Sequence, residues 1–156
     1  RLHEKINFLF AENIKVKGEY QLTDALDLML KDDIVMRSAN IDRWLDCGNS
    51  KEFLSSAKHI LNRYPLPVSG KDDTNRIIPP VYVGKNVDIK DSVIGPNVII
   101  ENDTVISGST LTDSVVFENC KIVNSTISDS IIGNHSFINK ARGVLNVGDF
   151  SSYENK

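Results

Sequence analysis

The chain has 156 residues, 40% of them hydrophobic, enough for one domain or two small ones. Eighteen Lys and Arg against 21 Asp and Glu leave a net charge of −3 without any basic run, which argues against nucleic acid and against a membrane surface. No apolar stretch reaches about 18 residues, so no membrane-spanning helix is expected.

No signal peptide opens the chain, and Arg1 in first place suggests a piece of something longer. Cys47 and Cys120 lie in segments of different character and lack metal-ligand spacing, which fits a reduced cytoplasmic protein.

In chain order, Leu2, Ile6, Leu9 and Phe10 recur at helical spacing, as do Leu22, Leu26, Met29 and Leu30, with Thr23 the expected N-cap of the second helix. Residues 34–48 read as an extended segment ending in a turn. A third helix is expected over Ser50–Arg63, with Phe53, Leu54, Ala57 and Leu61 on one face. Residues 64–80 hold four of the five prolines and the run Ser69-Gly70-Lys71-Asp72-Asp73, which is linker chemistry. The expected division is therefore 1–63, a linker at 64–80, and 81–156.

Beyond the linker, a repeat dominates. Aliphatic residues stand at Val83, Ile89, Ile94, Ile100, Ile106, Leu111, Val116, Ile122, Ile127, Ile132 and Ile138, every step five or six residues. Two places before each stands a small or β-branched residue, from Val81 and Val87 through Ser92, Val98 and Thr104 to Ser136. This pattern predicts a coil with three short faces per turn, each sending one large aliphatic inward and one small side chain near the corner. A turn of 16 or 17 residues should stack Ile100, Val116 and Ile132, and likewise Ile106, Ile122 and Ile138. A fully buried aliphatic contributes roughly 1.5–3 kcal/mol, so such a column can hold a small solenoid. A sandwich of short strands would instead need period-two alternation and hairpin turns, which are missing. Val115, Phe117, Val123, Ile131 and Phe137 beside the inward positions are expected to be exposed and available for self-association.

The repeat resembles the hexapeptide repeat of left-handed parallel β-helix proteins. That coil is shared by acyltransferases and by the C-terminal domains of sugar-nucleotide pyrophosphorylases. Gly18-Glu19-Tyr20-Gln21-Leu22-Thr23-Asp24-Ala25-Leu26 resembles the GEYQLTDAL segment of sugar-1-phosphate nucleotidyltransferases, and Trp44-Leu45-Asp46-Cys47-Gly48-Asn49 resembles their W-x-D-x-G-T element. Gly143-Val144-Leu145-Asn146-Val147-Gly148-Asp149 is similar to their closing L-N-x-G-D segment and departs from the strict spacing, as a capping rung should.

The resemblance implies a mainly β fold, with a left-handed β-helix behind a small α/β fragment of a Rossmann-like catalytic domain. It also implies a reaction: a nucleoside triphosphate and a sugar-1-phosphate give a nucleotide sugar and pyrophosphate, with Mg²⁺ neutralising the phosphates. Thymidylyl transfer to glucose-1-phosphate is the first expectation, with uridylyl and guanylyl transfer behind it. On this resemblance Asp46 matches one of two metal-binding aspartates, Trp44 packs near bound sugar or nucleotide, and Glu19 and Asp24 lie on the sugar-binding side. The coil would serve homo-oligomerisation or regulation.

Each residue has a plainer reading as well. Trp44 fits core packing, Asp24 fits the positive end of the second helix, Glu19 fits a solvated loop, and Asp46 fits a turn before Gly48. The family's G-x-G-T-R-L triphosphate loop, its signature lysine and its first metal aspartate are missing; only Gly70-Lys71 hints at such a loop. The chain alone is therefore expected to be inactive. The alternative is an acyltransferase using acetyl-CoA, with His135, the coil's one histidine, as general base. The repeat runs without the inserted loop that covers acyl-CoA in such enzymes.

Overall fold

The computed structural model describes residues 1–64 and 74–155. Most of the expected linker, with Gly70-Lys71, lies outside the described residues. The chain divides into two compact units, Arg1–Arg43 and Trp44–Lys156.

The first unit is a helical hairpin of α1 (Leu2–Ala11) and α2 (Leu22–Lys31), closed over Leu9 and Ala25, which are 3% and 0% exposed. Phe10 meets the Tyr20 ring edge-on at 4.6 Å, and Lys5 pairs with Asp32. The cap of α2 differs from expectation. Leu22 is already helical, so Gln21 occupies the N-cap with no side-chain bond, and Thr23 lies inside the first turn. Residues 34–47 form neither helix nor strand, because no described strand runs beside them to complete a ladder.

In the second unit, α3 (Ser50–Arg63) starts where the sequence places it. Asn49 caps it, its Oδ1 accepting from the Glu52 N–H at 3.0 Å while its Nδ2 donates to Glu52 Oε2 at 2.7 Å.

The coil that follows is a three-sided parallel β-solenoid of five rungs, consistent with the left-handed β-helix of the hexapeptide repeat. One face stacks β1 (Arg76–Ile77), β4 (Val93–Ile94), β7 (Thr110–Thr112), β10 (Thr126–Ser128) and β13 (Arg142–Gly143). A second stacks β2 (Val81–Val83), β5 (Val98–Ile100), β8 (Val115–Val116), β11 (Ile131–Ile132) and β14 (Asn146–Val147). The third stacks β3 (Asp88–Lys90), β6 (Val105–Ser107), β9 (Lys121–Val123), β12 (Phe137–Asn139) and β15 (Ser152–Glu154). The first ladder strand lies at Arg76–Ile77, before Val81.

The expected columns are in register: Ile100, Val116 and Ile132 pair in turn, as do Ile106, Ile122 and Ile138. All six are 0% exposed.

The small corner positions carry chemistry as well as size. Where the chain turns, Ser92 Oγ accepts from the Ser109 N–H of the next rung, Ser109 Oγ from Ser125, and Ser125 Oγ from Ala141, at 3.0–3.1 Å. Each hydroxyl also donates to the carbonyl two residues back, so a buried group that would be costly alone is satisfied twice. Ser114 and Ser130 repeat this at a second corner. Turns here need the left-handed region, which Asn86, Asp91, Asn97, Asp103, Asp113, Asn119, Asn124 and Asp129 adopt with φ of 45–58°. Gly95, at φ 105°, has no alternative, since a Cβ there would lie 1.9 Å from the Ile78 carbonyl oxygen.

The expectation of five exposed apolar residues is corrected. Val115 is 3% exposed, and Phe117, Val123, Ile131 and Phe137 are half-buried. For Val115 and Phe117 the cause is α3, which lies against the second face and brings the Phe53 ring to 6.3 Å from that of Phe117.

Candidate functional site

The four residues singled out by sequence fall in both units: Glu19 and Asp24 in the first, Trp44 and Asp46 in the second. Glu19 closes a two-residue turn through its bridge with Val16 and accepts from Gln21 Nε2 at 3.4 Å. Asp24 stands in the first turn of α2, where a carboxylate suits the helix dipole. Its Oδ2 is nonetheless buried without a hydrogen-bond partner among the described residues. Such an orphaned acceptor is costly in water-free surroundings.

Trp44 is 77% exposed, so it does not fill a core. Asp46 is exposed too, yet it is held on two sides. Its Oδ1 accepts from the Gly48 N–H at 2.8 Å, and its carbonyl accepts from Ser56 Oγ at 2.7 Å. The first contact is the aspartate turn anticipated before Gly48. The second ties the loop to the buried side of α3, where Ser56 is 6% exposed. Ser56 was not singled out from the sequence; the signal was a serine on the face that otherwise carries Phe53, Ala57 and Leu61.

Mg²⁺ takes one or two protein carboxylates and completes its octahedron with water and phosphate oxygens. Asp46 fits as one such ligand. No group of three or more His, Cys, Asp and Glu side chains that could hold a metal ion converges among the described residues.

Along the coil, α3 is fixed by polar contacts that the sequence did not reveal. Lys58 Nζ pairs with Asp113 Oδ1 at 3.0 Å, Asn97 Nδ2 donates to the same oxygen at 2.8 Å, and Asn62 Nδ2 approaches Asn97 Oδ1 at 3.4 Å. Beside this contact runs a groove of about 410 Å³ lined by Lys51, Leu54, Ala57, Val115, Asp129 and Val144.

Two further groups are perturbed. Burial, followed by the Glu118 charge, raises the Glu101 carboxyl above its ordinary range. Burial raises the Cys120 thiol, whose Sγ lies 3.1 Å from the Gly133 carbonyl oxygen, keeping it in the unreactive protonated form.

His135 sits at an exposed corner with φ 56° and stacks on Phe150, ring centroids 4.8 Å apart at 9°. The rungs around it continue without an inserted loop. No helix among the described residues is long and apolar enough to cross a membrane.

The fold defines a class, a parallel β-helix domain, and the segments before it resemble those of sugar-1-phosphate nucleotidyltransferases. Residues 77–148 match the family described as GMPPB C-terminal domain. Three proteins named bifunctional protein GlmU are similar over more of the chain. That of Latilactobacillus sakei subsp. sakei (strain 23K) is 29% identical over 174 aligned residues, covering 99% of this chain and 36% of that protein. That of Clostridium botulinum (strain Eklund 17B / Type B) is 30% identical over 148, covering 88% and 32%. That of Methanococcus maripaludis (strain C5 / ATCC BAA-1333) is 30% identical over 144, covering 75% and 34%. The chain spans about a third of the length of these curated relatives. It resembles the C-terminal portion of a sugar-1-phosphate nucleotidyltransferase with a β-helix domain, and the similarities support a nucleotidyltransferase fragment.

Proposed function

We propose that this chain is the C-terminal portion of a cytoplasmic sugar-1-phosphate nucleotidyltransferase, in which the coil serves homo-oligomerisation or regulation. The whole protein would join a nucleoside triphosphate to a sugar-1-phosphate and release pyrophosphate. Thymidylyl transfer to glucose-1-phosphate is the favoured pairing.

The observation that carries this reading is the order of segments. A GEYQLTDAL-like stretch, a W-x-D-x-G element and a coil matched at 77–148 follow one another, and the three GlmU relatives align over 75–99% of this chain.

Mg²⁺, where bound, would neutralise phosphate charge and align the reacting groups. Within this chain, Asp46 would offer it a carboxylate whose direction the Gly48 N–H fixes. Trp44, exposed two residues earlier, would lie against sugar or base. Glu19 and Asp24 would face the sugar, and the orphaned Asp24 oxygen is an acceptor suited to a sugar hydroxyl.

The triphosphate loop is missing from these residues, so the purified 156-residue chain should release no pyrophosphate from nucleoside triphosphate and sugar-1-phosphate with Mg²⁺. Nucleotide-sugar synthesis by this chain would overturn its assignment as an inactive portion. Light scattering at micromolar concentration should give a mass above the monomer; a monomer would remove the assembly role. Acetyl-CoA should leave the melting temperature unchanged, whereas a concentration-dependent rise would favour acyl transfer.

A further inference from the structure

We infer that α3 is a strut through which the coil holds the 44–48 loop in place, and that Asn97 and Asp113 are positioning residues for Asp46. The mechanical link stands on geometry alone; the role given to Asp46 rests on the reading above.

The loop and the coil belong to one compact unit, which begins at Trp44. At its upstream end α3 is bound to the loop through Ser56, next to a capped first turn and a loop closed on itself. Asn49 caps the helix, Gly48 donates to the Asp46 carboxylate, and the buried Ser56 hydroxyl donates to the Asp46 carbonyl. At its downstream end α3 is bound to the coil by Lys58 and Asn62, which reach Asp113 and Asn97.

Those two coil residues occupy successive left-handed corners, with φ of 45° and 58°. Their backbones are fixed in the ladder: Asp113 N–H donates to the Pro96 carbonyl at 2.9 Å and Ser114 N–H to that of Asn97 at 3.1 Å. The corner is rigid, so the side chains it presents are a fixed anchor for the helix. Between the two ends, Phe53 lies beside Phe117.

An exposed ion pair stabilises little by itself. Yet Asp113 Oδ1 serves Lys58 and Asn97 together, which fixes the helix's position along the face. Loss of this anchor should therefore loosen the loop without melting the coil.

The test is amide hydrogen exchange on the 156-residue chain, read at Gly48, whose N–H holds the Asp46 carboxylate. Asp113→Ala and Ser56→Ala should each speed Gly48 exchange about tenfold, the signature of a local opening. Exchange at Ile122 and Ile138 should stay as slow as in the unsubstituted protein. Asp113→Asn, which keeps an acceptor at this place, should recover most of the protection. Asp103→Ala is the matched control: Asp103 also sits at a left-handed corner and accepts from Asn86 at 2.9 Å, without a bond to α3.

Unchanged Gly48 exchange in Asp113→Ala with an intact coil, or an equal rise in Asp103→Ala, overturns the strut. If Asp113→Ala unfolds the coil, Lys58→Ala and Asn62→Ala together decide the same question from the helix side. Paramagnetic broadening of Gly48 by Mn²⁺ separates the second half of the inference. Broadening that Asp46→Asn abolishes and Asp113→Ala weakens supports the positioning role. No broadening in the unsubstituted protein removes Asp46 as a metal ligand and overturns that role, with the exchange result still deciding the strut.

Discussion

At the scale of single residues, two kinds of position make this coil: inward aliphatics and left-handed corners. The aliphatics were readable because a large apolar side chain every five or six residues leaves no other face to bury. The corners were less so. Asn and Asp fill most left-handed positions of the first rungs, but Asp88 and Asn102 are the same residue types outside such corners, so type alone does not fix place. His135, Lys140 and Phe150 take over the left-handed role late in the coil, where the pattern loosens. Ile122 is the most demanding aliphatic, 0% exposed and in register between Ile106 and Ile138. Ile122→Ala removes packed atoms between two neighbours that cannot close the gap, and should cost about 2–5 kcal/mol in urea unfolding. Val105 is outward-facing and 37% exposed, so Val105→Ala should stay within about 0.5 kcal/mol. Equal losses at the two sites would contradict a core built from the inward column.

Among the elements, α3 was placed correctly from its apolar spacing, whereas what it packs on was hidden. Helical periodicity says that Phe53, Ala57 and Leu61 must face something; it does not say that this is a flank of the coil whose first ladder strand begins at Arg76. The same blindness made Val115 and Phe117 look exposed, because covering by an element distant in sequence leaves no local trace. The candidate residues Glu19, Asp24, Trp44 and Asp46 rest on motif resemblance, each named by its sequence neighbours. The supports of Asp46 were not legible in the sequence, since Ser56, Asn97 and Asp113 act through side-chain contacts spanning many residues. The cap of α3 is the element's most exposed weakness. Asn49 satisfies the Glu52 N–H and is itself held by the Glu52 carboxylate, so Asn49→Ala should cost about 1 kcal/mol. Amide exchange should show the loss confined to the first turn of α3 and the 44–48 loop, and a uniform loss along the coil would show that the cap acts elsewhere.

For the whole coil, each rung touches only the rungs above and below, so stability approximates a sum of rung and interface terms. The last rung shows how the column ends. Gly143 pairs with Ile127 where inner rungs place Ile or Leu, while Leu145 takes the corner place of Ser130 and remains partly packed on the core. A terminal rung therefore differs in composition from an inner one, which makes the inner ones the interchangeable units. Residues 125–140 are one such unit of 16: Ser125 N–H sits on Ser109 Oγ, and Ala141 N–H sits on Ser125 Oγ. Removing 125–140 would join Asn124 to Ala141, put the Ala141 N–H on Ser109 Oγ, and bring Val147 over Val116 and Tyr153 over Ile122. It would leave untouched Asn97, Asp113 and Phe117, which meet α3. This shortened chain should fold to a four-rung coil with a lower melting temperature and a cooperative transition, checked by circular dichroism and amide exchange. Removing only 125–132 would instead put Gly133 in the place of Ser125 and shift all three columns by half a turn, burying polar groups without partners. That chain should lose cooperative melting. Similar behaviour from the two deletions would mean that register between rungs does not hold this coil together.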